Sequence, residues 1–156
     1  KQMNVPLWKV PWMVRRFRAV MAQQIGQITL FEGMDQVLSD LSRQGCVLAI
    51  VSSNSEANVR QVLGQENANR IHYHECGVSL FGKSARIRKV LGQSGVKPSQ
   101  AILIGDEIRD GEAACKTGIA FGAVGWGYTR IGALREKFPN MVFQQPLDIL
   151  QTLGAA

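Results

Sequence analysis

Three carboxylates follow directly on an apolar run in "AILIGDEIRDG", residues 101–111: Asp106, Glu107 and Asp110. An apolar run of that length between polar segments reads as a buried strand. Carboxylates at its end are hard oxygen donors of the kind magnesium prefers. Asp106 stands one residue beyond the run. Asp110 stands one helical turn further on, which returns it toward the same rim. A purely structural role is open as well: Asp106 as a helix N-cap and Asp110 as a first-turn acid facing the helix dipole.

A second polar strand end bears on that choice. The apolar run 46–51 ends in Ser52, Ser53 and Asn54, just before the helix-forming "SEANVRQVL". A hydroxyl beside the backbone N–H groups of a helix start is a place for phosphate. A capping box from Ser53 to Glu56 would serve helix stability equally well, but it leaves the acidic strand end unexplained. Lys83 heads a further helix in "FGKSARIRKVL". A cation there opposes the helix dipole and becomes sensible where it neutralises a phosphate and nearby carboxylates. The candidate set is therefore Ser52, Ser53, Asn54 and Lys83 for phosphate, with Asp106 and Asp110 for a metal.

These residues need elements to carry them. Residues 34–44 read as a helix burying Val37, Leu38 and Leu41, ended by Gly45. The run 46–51 reads as a strand covered on both faces. A helix follows over 56–64, a short strand near 71–74, and a helix from Lys83 that buries Ile87, Val90 and Leu91. Next come the strand 101–105, the helix after it, a strand at 119–124, a helix at 130–137, "MVF", and a last helix at 147–153. Strand and helix alternate with short connections, so the class is α/β with a mainly parallel sheet flanked by helices. Residues 7–25 depart from the alternation. They read as a helix carrying Arg15, Arg16 and Arg18 at the edge of an apolar stripe.

Composition excludes several classes. The chain has 156 residues, 46% apolar and 19% charged, which is ordinary for one globular domain with a small appendage. Net charge is +6, but the basic residues form no dense stripe, so nucleic acid is not expected; a positive field suits a small anion. The three cysteines, Cys46, Cys76 and Cys115, make no disulfide framework, and Cys46 and Cys115 read as buried thiols. His72, His74 and Cys76 in "HYHEC" read as a polar strand face rather than a zinc site. No signal peptide or membrane span is present, so no membrane partner is expected and the cytoplasm is the default compartment. "GWG" at 125–127 lacks the third glycine of a dinucleotide fingerprint. Trp126 and Tyr128, beside it, read either as lining the site mouth or as loop anchors.

The ordered set "VSSN", "FGKSARIRKVL", "ILIGDEIRDGEAACKTGI" and "AVGWGY" resembles the haloacid dehalogenase-like (HAD) hydrolases, phosphoglycolate-phosphatase-like branch. The resemblance covers nearly the whole chain. It implies a Rossmann-like core over 29–156, with 1–28 as the last helices of a helical cap. It implies phosphate binding by Ser52 and Lys83, Mg2+ on Asp106 with Asp110 in support, and a small phosphorylated metabolite as substrate. The family's D-x-D-x-T motif, whose first aspartate attacks phosphorus, does not occur here. The expectation is a C-terminal portion lacking the first core strand, with Lys83, Ser52 and Asp106 catalytic in the intact enzyme and no turnover by the portion alone. With that strand missing, two strand edges would be unpaired, and self-association is expected. The alternative is a non-catalytic phosphate-binding or interaction module on the same fold.

Overall fold

A computed structural model describes residues 25–77, 82–138 and 140–153. The helix expected over 7–25, its arginines, and the cap boundary at 28 lie wholly or largely outside the described residues.

A short 3-10 turn, Ile25–Gln27, leads into α1 (Met34–Arg43), β1 (Ala49–Val51), α2 (Glu56–Arg70), β2 (Tyr73–Glu75) and α3 (Lys83–Ser94). After a second 3-10 turn at Pro98–Gln100 come β3 (Ile102–Gly105), α4 (Ile108–Thr117), β4 (Ala120–Val124), α5 (Ile131–Lys137), β5 (Val142–Phe143) and α6 (Asp148–Leu153). Every strand pairing is parallel. The α/β class with parallel strands and flanking helices is thus as the sequence indicates.

The strands form two sheets rather than one. β1 pairs with β2, and β3, β4 and β5 form a separate sheet in that order. Between β1 and β3 lies a cleft of ≈ 250 Å³, lined by Ala49 and Val51 on one side, Ile102 and Leu103 on the other, and Val90 and Leu91 of α3. The open edges explain a departure from expectation. The apolar runs at 46–51 and 101–105 are not fully covered: Val47 and Ala49 are exposed, and all of β3 is only half-buried.

The two sheets are held by helices. Val37 and Leu41 of α1 join Val124, Phe143 and Ile149 in one buried cluster, while Leu38 of the same helix packs on the second cluster of Leu63, Ala68 and Ile71. The Leu48 side chain touches both clusters. On α3, Arg86 and Lys89 each form a 2.6 Å ion pair with Glu75 at the end of β2, and Lys83 pairs with Asp110 of α4. α3 therefore ties one sheet to the other. α2 is longer than its pattern suggests because it continues through a break at Gly64 (φ 71°, ψ 167°). Cys46 is half-buried and Cys115 is exposed, against the expectation of buried thiols. Cys115 falls on the outer face of α4, opposite Ala113 and Ala114, which are 4% and 0% exposed.

Candidate active site

A chain of contacts connects the carboxyl ends of the strands in the two sheets. Val51 is in register with Glu75 across the parallel pair, and the Ser52 N–H donates to the Glu75 carbonyl at 3.1 Å. Ser52 therefore sits beside the carboxyl end of β2. Arg86 bridges from Glu75 to the N-terminal half of α3, whose first residue is Lys83. The Lys83 Nζ donates to Asp110 Oδ1 at 2.5 Å. Asp110 lies in the first turn of α4, just beyond β3, and is 4% exposed. The later residues of α3, from Ile87 to Ser94, line the cleft together with Cys46, Val47, Gln100 and Ala101, which precede β1 and β3. The helix thus runs against the strands and points its start at their carboxyl ends.

The three acids of "GDEIRD" have three separate partners. Asp106 Oδ2 accepts from the Tyr128 N–H at 2.7 Å. Glu107 accepts from Arg109 at 2.7 Å, a contact that raises the pKa of the arginine. Asp110 takes Lys83. The N-cap of α4 is Glu107, with no side-chain capping bond, so Asp106 does not serve as the cap. Gly105 allows the fit of Asp110: a Cβ there would stand 2.5 Å from Asp110 Oδ2.

At the serine-rich end, the cap of α2 is Ser55, whose Oγ accepts from the Asn58 N–H at 3.2 Å. This corrects the capping box drawn from Ser53. Asn54 Oδ1 accepts from the Ser55 N–H and from Asn58 Nδ2, both at 2.9 Å, and Ser52 Oγ accepts from the Asn54 N–H at 3.1 Å. Capping by Ser55 frees Ser52 and Ser53 from that task. Ser53 is exposed, and its N–H has no acceptor among the described residues. No hydrogen bond joins Ser52 to Lys83, Asp106 or Asp110 among the described residues.

The structure thus brings Lys83 and Asp110 into contact, sets Asp106 four residues before Asp110 at the same strand end, and leaves Ser52, Ser53 and Asn54 at the end of the other sheet. Sequence reasoning missed Glu75 and its two cations, and the backbone bond from Tyr128 to Asp106. The only signal for the latter was the glycine-rich, aromatic "GWGY". The histidine-rich strand holds no metal set: His72 Nδ1 accepts from the Leu48 N–H at 3.2 Å, and no group of three ligating side chains occurs among the described residues. No helix among the described residues is long and apolar enough to cross a membrane.

The core is thus a parallel α/β fold with a lysine–carboxylate pair beyond the end of β3. The haloacid dehalogenase-like hydrolase family profile matches residues 1–124, and the chain belongs to that family. Among curated proteins, the phosphoglycolate phosphatase of Synechococcus elongatus is 28% identical over 148 residues, covering 92% of this chain and 70% of that protein. The phosphoglycolate phosphatase of Xanthomonas campestris is 30% identical over 131 residues, covering 79% of this chain and 56% of that protein. A haloacid dehalogenase-like hydrolase structure from Streptococcus pneumoniae superposes with a TM-score of 0.81 at 24% identity, over 96% of this chain and 72% of that one.

Proposed function

We propose that the whole protein is a magnesium-dependent phosphate monoester hydrolase, acting in the cytoplasm on a small phosphorylated metabolite of the phosphoglycolate kind. The observation that carries this reading is the Lys83–Asp110 pair, 2.5 Å long, at the strand end that also bears Asp106. A fixed ammonium beside paired carboxylates at a strand rim suits a phosphoryl group with its counter-ion. The relatives named phosphoglycolate phosphatase supply the substrate class.

The donor set fits magnesium. Asp106 offers a hard oxygen at the rim, and Asp110, engaged by Lys83, is suited to an indirect contact through water. One or two carboxylates completed by water and substrate oxygens is the usual environment of that ion. When bound, magnesium screens the charge of the phosphoryl group and orients it. In this account Ser52 Oγ and the Ser53 N–H hold non-bridging oxygens. The Asn54 N–H joins them if it leaves Ser52 Oγ. Lys83 stabilises the charge that gathers on those oxygens as the ester bond breaks.

The chain contains no D-x-D sequence. We place the attacking aspartate of the family motif, and the acid that protonates the leaving alkoxide, in polypeptide outside these residues. An aspartate–phosphorus bond forms as the ester P–O bond breaks, and water then hydrolyses the aspartyl phosphate. The test is a magnesium-dependent screen of phosphorylated metabolites with the whole protein. The 156-residue chain should bind without turning over. Robust hydrolysis by that chain alone would overturn the placement of the nucleophile.

A further inference from the structure

We infer that the loop 125–128 is the positioning element of Asp106: Gly127 makes room for the carboxylate, and the backbone N–H of Tyr128 fixes which oxygen faces the site. The inference deepens the proposed metal role of Asp106 and rests on it.

The geometry is specific. Asp106 Oδ2 accepts the Tyr128 N–H at 2.7 Å across 22 positions of sequence. Among the described residues this is the one hydrogen bond that Asp106 accepts through its side chain. A carboxylate with one oxygen tied to a fixed donor cannot turn freely about its last bond, so the direction of Oδ1 is set before any ligand arrives. The close approach depends on glycine. A Cβ at Gly127 would fall 2.0 Å from Asp106 Cβ and 2.7 Å from both Cγ and Oδ2. No real side chain fits there without displacing Asp106 or the loop.

The loop is anchored on the far side. The Gly125 N–H donates to the Phe143 carbonyl at 2.8 Å, continuing the β4–β5 ladder past its last paired residues. Trp126 packs on the buried cluster of α1, β4, β5 and α6 and meets Phe31 edge-on, with ring centroids 6.4 Å apart. Tyr128, by contrast, is 97% exposed. What this residue contributes to Asp106 is its main chain. Trp126 is the anchor, Gly127 the clearance and the Tyr128 N–H the donor. Partners that orient a metal ligand from behind typically matter about 10–100-fold in metal affinity.

The test combines Mn2+ titration with amide hydrogen exchange on the 156-residue protein. Gly127→Ala should weaken Mn2+ binding by about 10–100-fold. Gly132→Ala, at a glycine with open space around it, should leave binding unchanged. Asp106→Asn shows whether the measured ion sits at this carboxylate. If Asp106→Asn loses the ion and Gly127→Ala retains it at wild-type affinity, the loop inference is overturned and the metal reading stands. If Asp106→Asn binds as tightly as wild type, or wild type binds no Mn2+, the metal reading fails in this chain, and exchange decides the loop. The Tyr128 amide should be protected in wild type and lose protection in Asp106→Ala. That second variant also serves if Gly127→Ala does not fold. A Tyr128 amide that exchanges at the unprotected rate in wild type, or stays protected in Asp106→Ala, overturns the inference.

Discussion

Lys83 occupies the first turn of α3, where the helix dipole disfavours a cation, and its partner Asp110 has a side chain only 6% exposed. Removing the lysine leaves that carboxylate buried without a counter-charge. Lys83→Met should therefore destabilise the fold by about 3 kcal/mol, the low end for a broken buried pair, since the lysine keeps 23% of its side chain in water. Adding Asp110→Leu should recover much of the loss. Denaturant unfolding of the two variants checks this, and equal stability of wild type and Lys83→Met would refute it. The placement of this lysine was legible because its charge contradicts its local helix. The capping serine was not legible: Ser53 and Ser55 are chemically alike, and only the backbone turn decides that the cap is Ser55. The bond from Tyr128 to Asp106 was hidden for a similar reason, because a main-chain donor leaves no mark on residue type.

α3 is the element on which the rim depends, and Glu75 secures it to the first sheet. Lys89 first, and Arg86 with it, hold the Glu75 carboxyl below the usual glutamate range. The folded form therefore binds this proton less readily than the unfolded chain. The stabilisation is complete above the unfolded glutamate value of about 4.3 and is lost as pH falls from there through the lower folded value. Thermal melts of wild type and Glu75→Gln should differ most near neutrality, with the gap closing as pH falls from about 4.3 through the lower folded value. A gap that is constant with pH would contradict the ionic role. At the level of elements, the sequence signalled most of the order through its apolar runs and the glycines that end helices, such as Gly95 and Gly118, both with positive φ. It overstated the first strand, which begins at Ala49 rather than at 46. A strand exists where a ladder partner exists; Cys46 and Val47 have none among the described residues, and Leu48 reaches His72 and Tyr73 through its carbonyl but has no partner in register.

Two parallel sheets flank a cleft lined by β1 and β3, whose edges there have no strand partner among the described residues. Such edges are templates for another strand. The isolated 156-residue chain should therefore self-associate as its concentration rises, which sedimentation velocity would detect; a stable, monodisperse monomer would contradict this account of the cleft. Ser52 follows β1 and Asp106 follows β3, so a further parallel strand seated between these two edges would carry its own carboxyl end toward both residues. The decisive measurement is hydrolysis of small phosphate monoesters by the whole protein with and without magnesium. Turnover should require magnesium, fall about 10²–10³-fold in Lys83→Ala through lost charge stabilisation, and nearly vanish in Asp106→Asn. Turnover that is indifferent to a chelator, or that survives intact in Asp106→Asn, would contradict the proposed function.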